Sequence, residues 1–101
     1  MEINQLVRLS HDYAKNKGFW NDQNTEDKRV IATKLMLIVT EVAEAMEAIR
    51  KEGFGNLGEE LADVVIRVAD LSGALGIDLG GEIETKALRN SIRPYMHGKV
   101  L

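Results

Sequence analysis

"TEVAEAMEAIRKEGFGNLGEELAD", residues 40–63, carries seven carboxylates against two basic residues, Arg50 and Lys51. Acids recur at intervals of three on both sides of a glycine-bearing break, EGFGNLG. Either they are the solvated faces of two ordinary helices, or some of them point inward and hold a cation. The break also decides the architecture. A helix running into it and a helix running out of it, joined by a short loop, fold back on each other as an antiparallel pair.

The flanks extend the helical pattern. The chain has a single proline, Pro94, and long stretches free of proline and glycine favour helices. Ile3, Leu6, Val7, Ser10, Tyr13 and Ala14 form a stripe at helical spacing, predicting a helix over 3–16 that stops at Gly18. GFWNDQN is a loop. Thr25 is placed to cap a second helix, with Glu26 and Asp27 in its first turn, running to about Lys51. Asn56 with Glu59 three residues on resembles a capping box for a third helix, from about Gly58 to Leu75. Asp78 caps a fourth, ending near Arg93 because Pro94 cannot continue it. No period-two segment is long enough for a strand. The expectation is all-α, a four-helix domain over residues 1–101.

Composition agrees. A chain of 101 residues suggests one domain with little stability to spare. Hydrophobic residues at 45% and charged residues at 29% describe a globular chain, not a disordered one. A net charge of -3 argues against a nucleic-acid polymer as partner. The absence of cysteine excludes disulfides and thiolate metal sites. The longest uncharged run, residues 71–77, is far below the roughly 20 apolar residues of a membrane span. The first residues have charges early and no apolar signal core. A cytoplasmic protein without a membrane partner is the simplest expectation. LMLIV, residues 35–39, makes the second helix apolar nearly all round. Such a helix must be buried on all sides, so self-association through it is expected, as a homodimer or as a dimer of dimers, a homotetramer.

Each helical residue advances about 100°. Glu41 then shares a face with Leu37, Ile38, Ala45 and Ala48, inside the apolar arc. Glu44 lies about 60° to the side, at the edge. Glu47 stands among Ala43, Glu44, Arg50 and Lys51, a solvated position with an ion-pair partner four residues on. The third helix repeats the pattern. Glu60 edges an arc of Leu57, Leu61, Val64, Val65, Val68, Leu71 and Leu75. Asp63 follows further out, and Glu59 faces solvent. Asp70, close to Asp63 in angle, is a candidate outer acid. Antiparallel packing brings the two acid pairs together, and carboxylates facing one another are costly to bury unless neutralised. A divalent cation solves this. All-oxygen ligands suit Mg²⁺ or Mn²⁺, and zinc fits less well without a histidine or cysteine in either pair. The ordinary alternative is solvated faces, with Asp63 paired to Arg67 at i+4.

With EVAE at 41–44, fifteen intervening residues and ELAD at 60–63, the chain resembles the all-α nucleoside triphosphate pyrophosphohydrolases, and within them the MazG-like branch. KGFW, LGIDL and RPYMHGK add to the resemblance, which covers essentially the whole chain. It implies Mg²⁺-dependent cleavage of a nucleoside triphosphate between the α- and β-phosphates, giving a nucleoside monophosphate and pyrophosphate. It also implies Glu41, Glu44, Glu60 and Asp63 as metal ligands. Glu41, the most core-facing, is the candidate for activating the attacking water. Thr40 stands where some relatives carry a further acid, which leaves the number of metals open.

Other residues extend the candidate site. Lys86 and Asn90, four apart and on a face with Leu79 and Ile83, are expected to point to the core side and to meet phosphate or sugar. The alternative is a snorkelling lysine beside a capping-type asparagine. Arg93 follows one turn on. Lys34, two turns before Glu41, can reach a phosphate or pair with an acid. Trp20 can stack on a base or close a core. His11, on the edge of the first helix's stripe, is a base contact or an ordinary core-edge histidine. Related enzymes use a histidine and a tryptophan from this region around the base. The basic tail includes Lys99, and Tyr95 and His97 are further candidate contacts. Two other functions compete: a non-catalytic helical module that binds nucleotide or metal, and a di-iron carboxylate bundle. The latter usually adds Glu-x-x-His pairs, and none occurs here.

Overall fold

The computed structural model describes residues 1–98; the candidate Lys99 lies outside them, as does the side chain of His97. Its elements are helices α1 (Ile3–Asn16), α2 (Lys28–Glu52), α3 (Leu57–Ala74) and α4 (Leu79–Ser91), followed by a 3-10 turn, Tyr95–Gly98. The fold is all-helical, with no strand among the described residues. None of these helices is long and apolar enough to cross a membrane.

Local chemistry sets the helix boundaries and moves some of them from the expected places. The second helix is capped by Asp27, not Thr25: the Asp27 carboxylate accepts from the Arg29 backbone N–H at 2.8 Å. Thr25 is drawn into a turn, in which the Asn24 side chain accepts from the Glu26 N–H and the Asn24 carbonyl from the Asp27 N–H. Asp78 caps α4 as expected, accepting from the Gly81 N–H. The expected capping box at Asn56 does not form. Its amide donates instead to Glu52 Oε2 at the end of α2, tying the two sides of the break together. Gly53 closes α2 at φ 76°, a left-handed backbone that costs glycine nothing. The fourth helix stops at Ser91, two residues before the expected end, because Pro94 bars α geometry at the residue before it.

The third helix is the centre of the arrangement. It packs against both α1 and α2, whereas α4 leans on α1. The Asn4 side chain anchors α4, donating to Asp78 and accepting from the Gly80 N–H. Burial is concentrated on the α1–α3 seam, where Val7, Ser10 and Ala14 meet Ala69, Leu71 and Ser72. Gly73 makes this seam close. A Cβ there would stand 2.6 Å from the His11 Cβ and 3.3 Å from Val7.

The core is thin. Its buried apolar residues are Val7, Ala14, Ala45, Ala69 and Leu71, and no large side chain among the described residues is fully buried. Tyr13, placed in the first helix's apolar stripe, is exposed, as are Leu61 and Val65 of the third. On α2, Leu35, Met36, Val39, Val42 and Met46 are all more than half exposed. A single chain buries only part of the apolar surface this sequence carries.

Candidate functional site

Two helices converge on one cluster of acids. Glu41 comes from α2, and Glu60 and Asp63 come from successive turns of α3. One carboxylate oxygen from each of the three lies within 4.8 Å of the others. The helix-break-helix places them so: Glu60 and Asp63 ride on the first turns of α3 just after the chain reverses, facing the middle of α2. Glu41 is sheltered, its side chain 15% exposed; Glu60 is likewise part-buried, and Asp63 is exposed. Glu44 stands outside this trio and is exposed. Its charge still bears on the cluster, because Glu60 holds its proton above the ordinary carboxyl value of 4.5, chiefly through desolvation and then through repulsion from Asp63, Glu44 and Glu41. Glu59, expected outside, is exposed. Glu47 is half-buried and paired with Arg50 at 3.0 Å and Lys51 at 3.7 Å.

These residues fit a hard divalent cation. They offer oxygen donors only, from two rigid helices, and their mutual repulsion is the kind of charge a cation relieves. The protein itself supplies a cation here. Arg67 Nε donates to Glu41 Oε1 at 2.9 Å, across the α2–α3 interface. The i+4 pairing of Arg67 with Asp63 is not formed.

A second constellation adjoins the first. Asp70 Oδ1 accepts from Trp20 Nε1 at 2.8 Å and from His11 Nδ1 at 2.9 Å. A carboxylate acceptor requires the proton on Nδ1 of that histidine. The two rings meet edge to face, 5.6 Å apart and inclined at 76°. Lys34 completes the group from α2. Its ammonium sits 4.3 Å from the centre of the Trp20 ring and donates to the Phe19 carbonyl at 2.8 Å. Trp20, His11 and Lys34 are therefore assembled together by Asp70 and the loop after α1. Spacing pointed to Asp70 only as an outer acid near Asp63; that two donors from α1 and its loop converge on it needs the tertiary fold.

Two cavities flank these groups. One, of about 200 Å³, lies among Trp20, Lys34, Leu37, Arg67 and Asp70. The other, of about 220 Å³, runs among Tyr13, Phe19, Glu41, Asp63 and Arg67. Arg67 and Asp70 border both.

The α4 candidates sit elsewhere. Lys86 and Asn90 are exposed and do not turn to the core side of their own chain. The Asn4 hydrogen bonds tie the start of their helix to α1, and its residues from Glu82 to Ser91 are exposed. Arg93, beyond the end of α4, donates to Asn90 Oδ1 at the long distance of 3.5 Å. Tyr95 is 91% exposed.

Among known families, the model of the MazG nucleotide pyrophosphohydrolase domain matches residues 30–88. That span contains α2 from its third residue on, all of α3, all of the acid cluster, Arg67 and Asp70. No curated protein and no solved structure matches the chain.

Proposed function

This chain belongs to the MazG nucleotide pyrophosphohydrolase family, and from that premise we propose that it hydrolyses a nucleoside triphosphate between the α- and β-phosphates. Water adds across that anhydride, and the products are a nucleoside monophosphate and pyrophosphate. The observation that carries the reading is the convergence of Glu41, Glu60 and Asp63 from two helices. Glu41, Glu60 and Asp63 would hold Mg²⁺, or Mn²⁺ in its place, and Glu44 would join them from the next turn of α2. A bound divalent ion would offset the like charge of carboxylates and phosphates, polarise a phosphoryl oxygen and acidify a bound water. Glu41, a sheltered carboxylate on α2, takes the proton of the attacking water. Lys34 lies beside the cavity and carries positive charge to the triphosphate. Trp20 offers its ring to the base, and His11 presents Nε2, its ring being fixed at Nδ1 by Asp70.

The exposed apolar side chains of α2 support self-association through that helix, as a homodimer or homotetramer. In such an assembly Lys86 and Asn90 of α4, and Arg93 just beyond it, would contribute to the site of a neighbouring copy. The substrate class accords with work in the cytoplasm, clearing non-standard nucleotides or controlling a normal pool.

The test is pyrophosphate release by the purified protein with Mg²⁺ across a panel of common and damaged nucleoside triphosphates. Release that disappears in Glu41→Gln and Asp63→Asn supports the assignment. No release from any nucleotide at high protein concentration would refute the enzyme reading and leave a binding module.

A further inference from the structure

We propose that Arg67 is an exchangeable counter-ion of the acid cluster: it occupies Glu41 when no metal is bound, gives Glu41 up to an incoming divalent cation, and then serves the triphosphate as a phosphate-binding arginine. The inference rests on the metal-site reading above and adds to it a residue that changes partner.

Position comes first. Arg67 follows Asp63 by one helical turn, the spacing at which an ordinary surface pair would form on α3 itself. It reaches across to α2 instead and takes Glu41 Oε1 at 2.9 Å. Glu41 is also one of the three acids whose oxygens cluster within 4.8 Å. A cation entering that cluster and the guanidinium therefore draw on the same carboxylate.

The form of the contact suits exchange. Glu41 is held through Nε alone, and among the described residues neither terminal nitrogen of Arg67 makes a hydrogen bond. A two-pronged arginine–carboxylate pair is the strong geometry; a single contact at an open edge is weaker and easier to displace. The Arg67 side chain is 39% exposed against 15% for Glu41. The carboxylate is confined while the guanidinium has room to turn.

There is also somewhere for it to go. Arg67 borders both cavities, the one shared with Glu41 and Asp63 and the one shared with Trp20 and Lys34. A divalent ion among the acids repels a guanidinium beside it. The second cavity already holds the Lys34 ammonium close to an aromatic ring, so an anionic group entering there would meet two cations. The planar fork of arginine matches phosphate oxygens.

The experiment reads Arg67 directly. In ¹⁵N-labelled wild-type protein the Arg67 Nε–H resonance, assigned by its loss in Arg67→Lys, is followed as Mg²⁺ alone is added. Exchange predicts a shift of that resonance and faster exchange with solvent. An unmoved resonance at saturating Mg²⁺ overturns the proposal. Calorimetry without nucleotide gives the second readout. Arg67→Gln should bind Mg²⁺ about three- to tenfold more tightly than wild type, because the competitor is gone, and Arg67→Lys should stay near wild type. Weaker or equal Mg²⁺ binding by Arg67→Gln overturns exchange, weaker binding because it would make Arg67 a support for Glu41. With Mg²⁺ present, an α,β-methylene nucleoside triphosphate should bind Arg67→Gln on the order of tenfold more weakly. Unchanged affinity overturns the phosphate role. If neither wild type nor Arg67→Gln binds Mg²⁺ or Mn²⁺, the metal-site reading itself falls, and exchange with it; that result is distinct from two proteins that bind the ion equally.

Discussion

Replacing Asp70 with alanine tests whether the His11–Trp20 arrangement is a built structure or an incidental meeting of side chains. Asp70 Oδ1 takes two donors, at 2.8 and 2.9 Å, and they come from α1 and from the loop that follows it. Hydrogen bonds to a charged group contribute about 1.5–3 kcal/mol each. The site is part-buried, with His11 and Asp70 each 17% exposed, so water recovers some of the loss. A net cost of about 2–4 kcal/mol follows. In a domain of this size that lowers the melting temperature by on the order of 10 °C or more. Thermal unfolding by circular dichroism, at fixed protein concentration because any assembly adds to stability, gives the number. Trp20 is the only tryptophan in the chain, so its emission reports the same event locally and should move to longer wavelength in the variant. Asp70→Asn keeps one acceptor oxygen and should lose roughly half as much. A change below about 0.5 kcal/mol for Asp70→Ala, with Trp20 emission unmoved, would refute the reasoning.

Four further outcomes are expected. Glu41→Gln and Asp63→Asn should abolish pyrophosphate release while far-UV circular dichroism stays helical, whereas Glu47→Gln and Glu59→Gln should change the rate by less than about threefold; equal damage from Glu47→Gln would reverse the inward and outward assignment. Gly73→Ala should destabilise by about 1–3 kcal/mol, as measured by urea unfolding, although alanine favours helix by about 1 kcal/mol, because the new methyl meets the His11 Cβ, which has no flexible end to move. Glu60 carries a raised pKa from desolvation and its acidic neighbours, so its contribution to stability is present below its unfolded value and lost as pH rises through its folded value. Metal-free protein should gain from mild acidification in that window, while Mg²⁺ affinity, followed by calorimetry, should fall there as protons compete with the ion. Asp78 runs the other way. The Asn4 amide and then the Gly81 N–H hold its pKa down, so its contribution is present above the unfolded value and lost as pH falls through the folded one; Asn4→Ala should reduce that acid-dependent loss, as shown by pH-dependent melting.

The helices were legible because they depend on local signals. The one proline, the glycine-bearing break at 53–58 and the Asp78 cap mark ends that the structure keeps within a few residues. The start of α2 was harder to read, since Thr25 and Asp27 are both good caps and the choice turns on whether Asn24 folds a turn ahead of them. Angular position on each helix distinguished Glu41 from Glu47 in environment, and it placed Glu60 at a core edge. It could not say which partner Arg67 takes, because the i+4 partner Asp63 and the cross-helix partner Glu41 differ only in tertiary distance. Nor could it set the reach of α4. Lys86 and Asn90 do share a face with Ile83, but a face becomes a core only where another helix covers it, and α4 is exposed from Glu82 on.

What the three dimensions add is a division of labour along one side of α3. Asp63, Arg67 and Asp70 succeed one another by roughly a turn each, and their charges are met in opposite ways. Asp70 is satisfied within the fold by donors from His11 and Trp20, an arrangement that needs nothing from outside. Asp63 joins Glu41 and Glu60 in a cluster that the chain relieves only in part, with one guanidinium held by one nitrogen. Substituting Asp70 should therefore act on stability, with or without metal. Substituting Asp63 should leave the metal-free fold intact or strengthen it, because a repulsive charge is removed, and should instead remove the stabilisation that added Mg²⁺ gives to the wild type. Melting curves of both variants with and without Mg²⁺ separate the two roles, and a Mg²⁺-dependent rise in melting temperature that survives in Asp63→Asn would place the ion elsewhere.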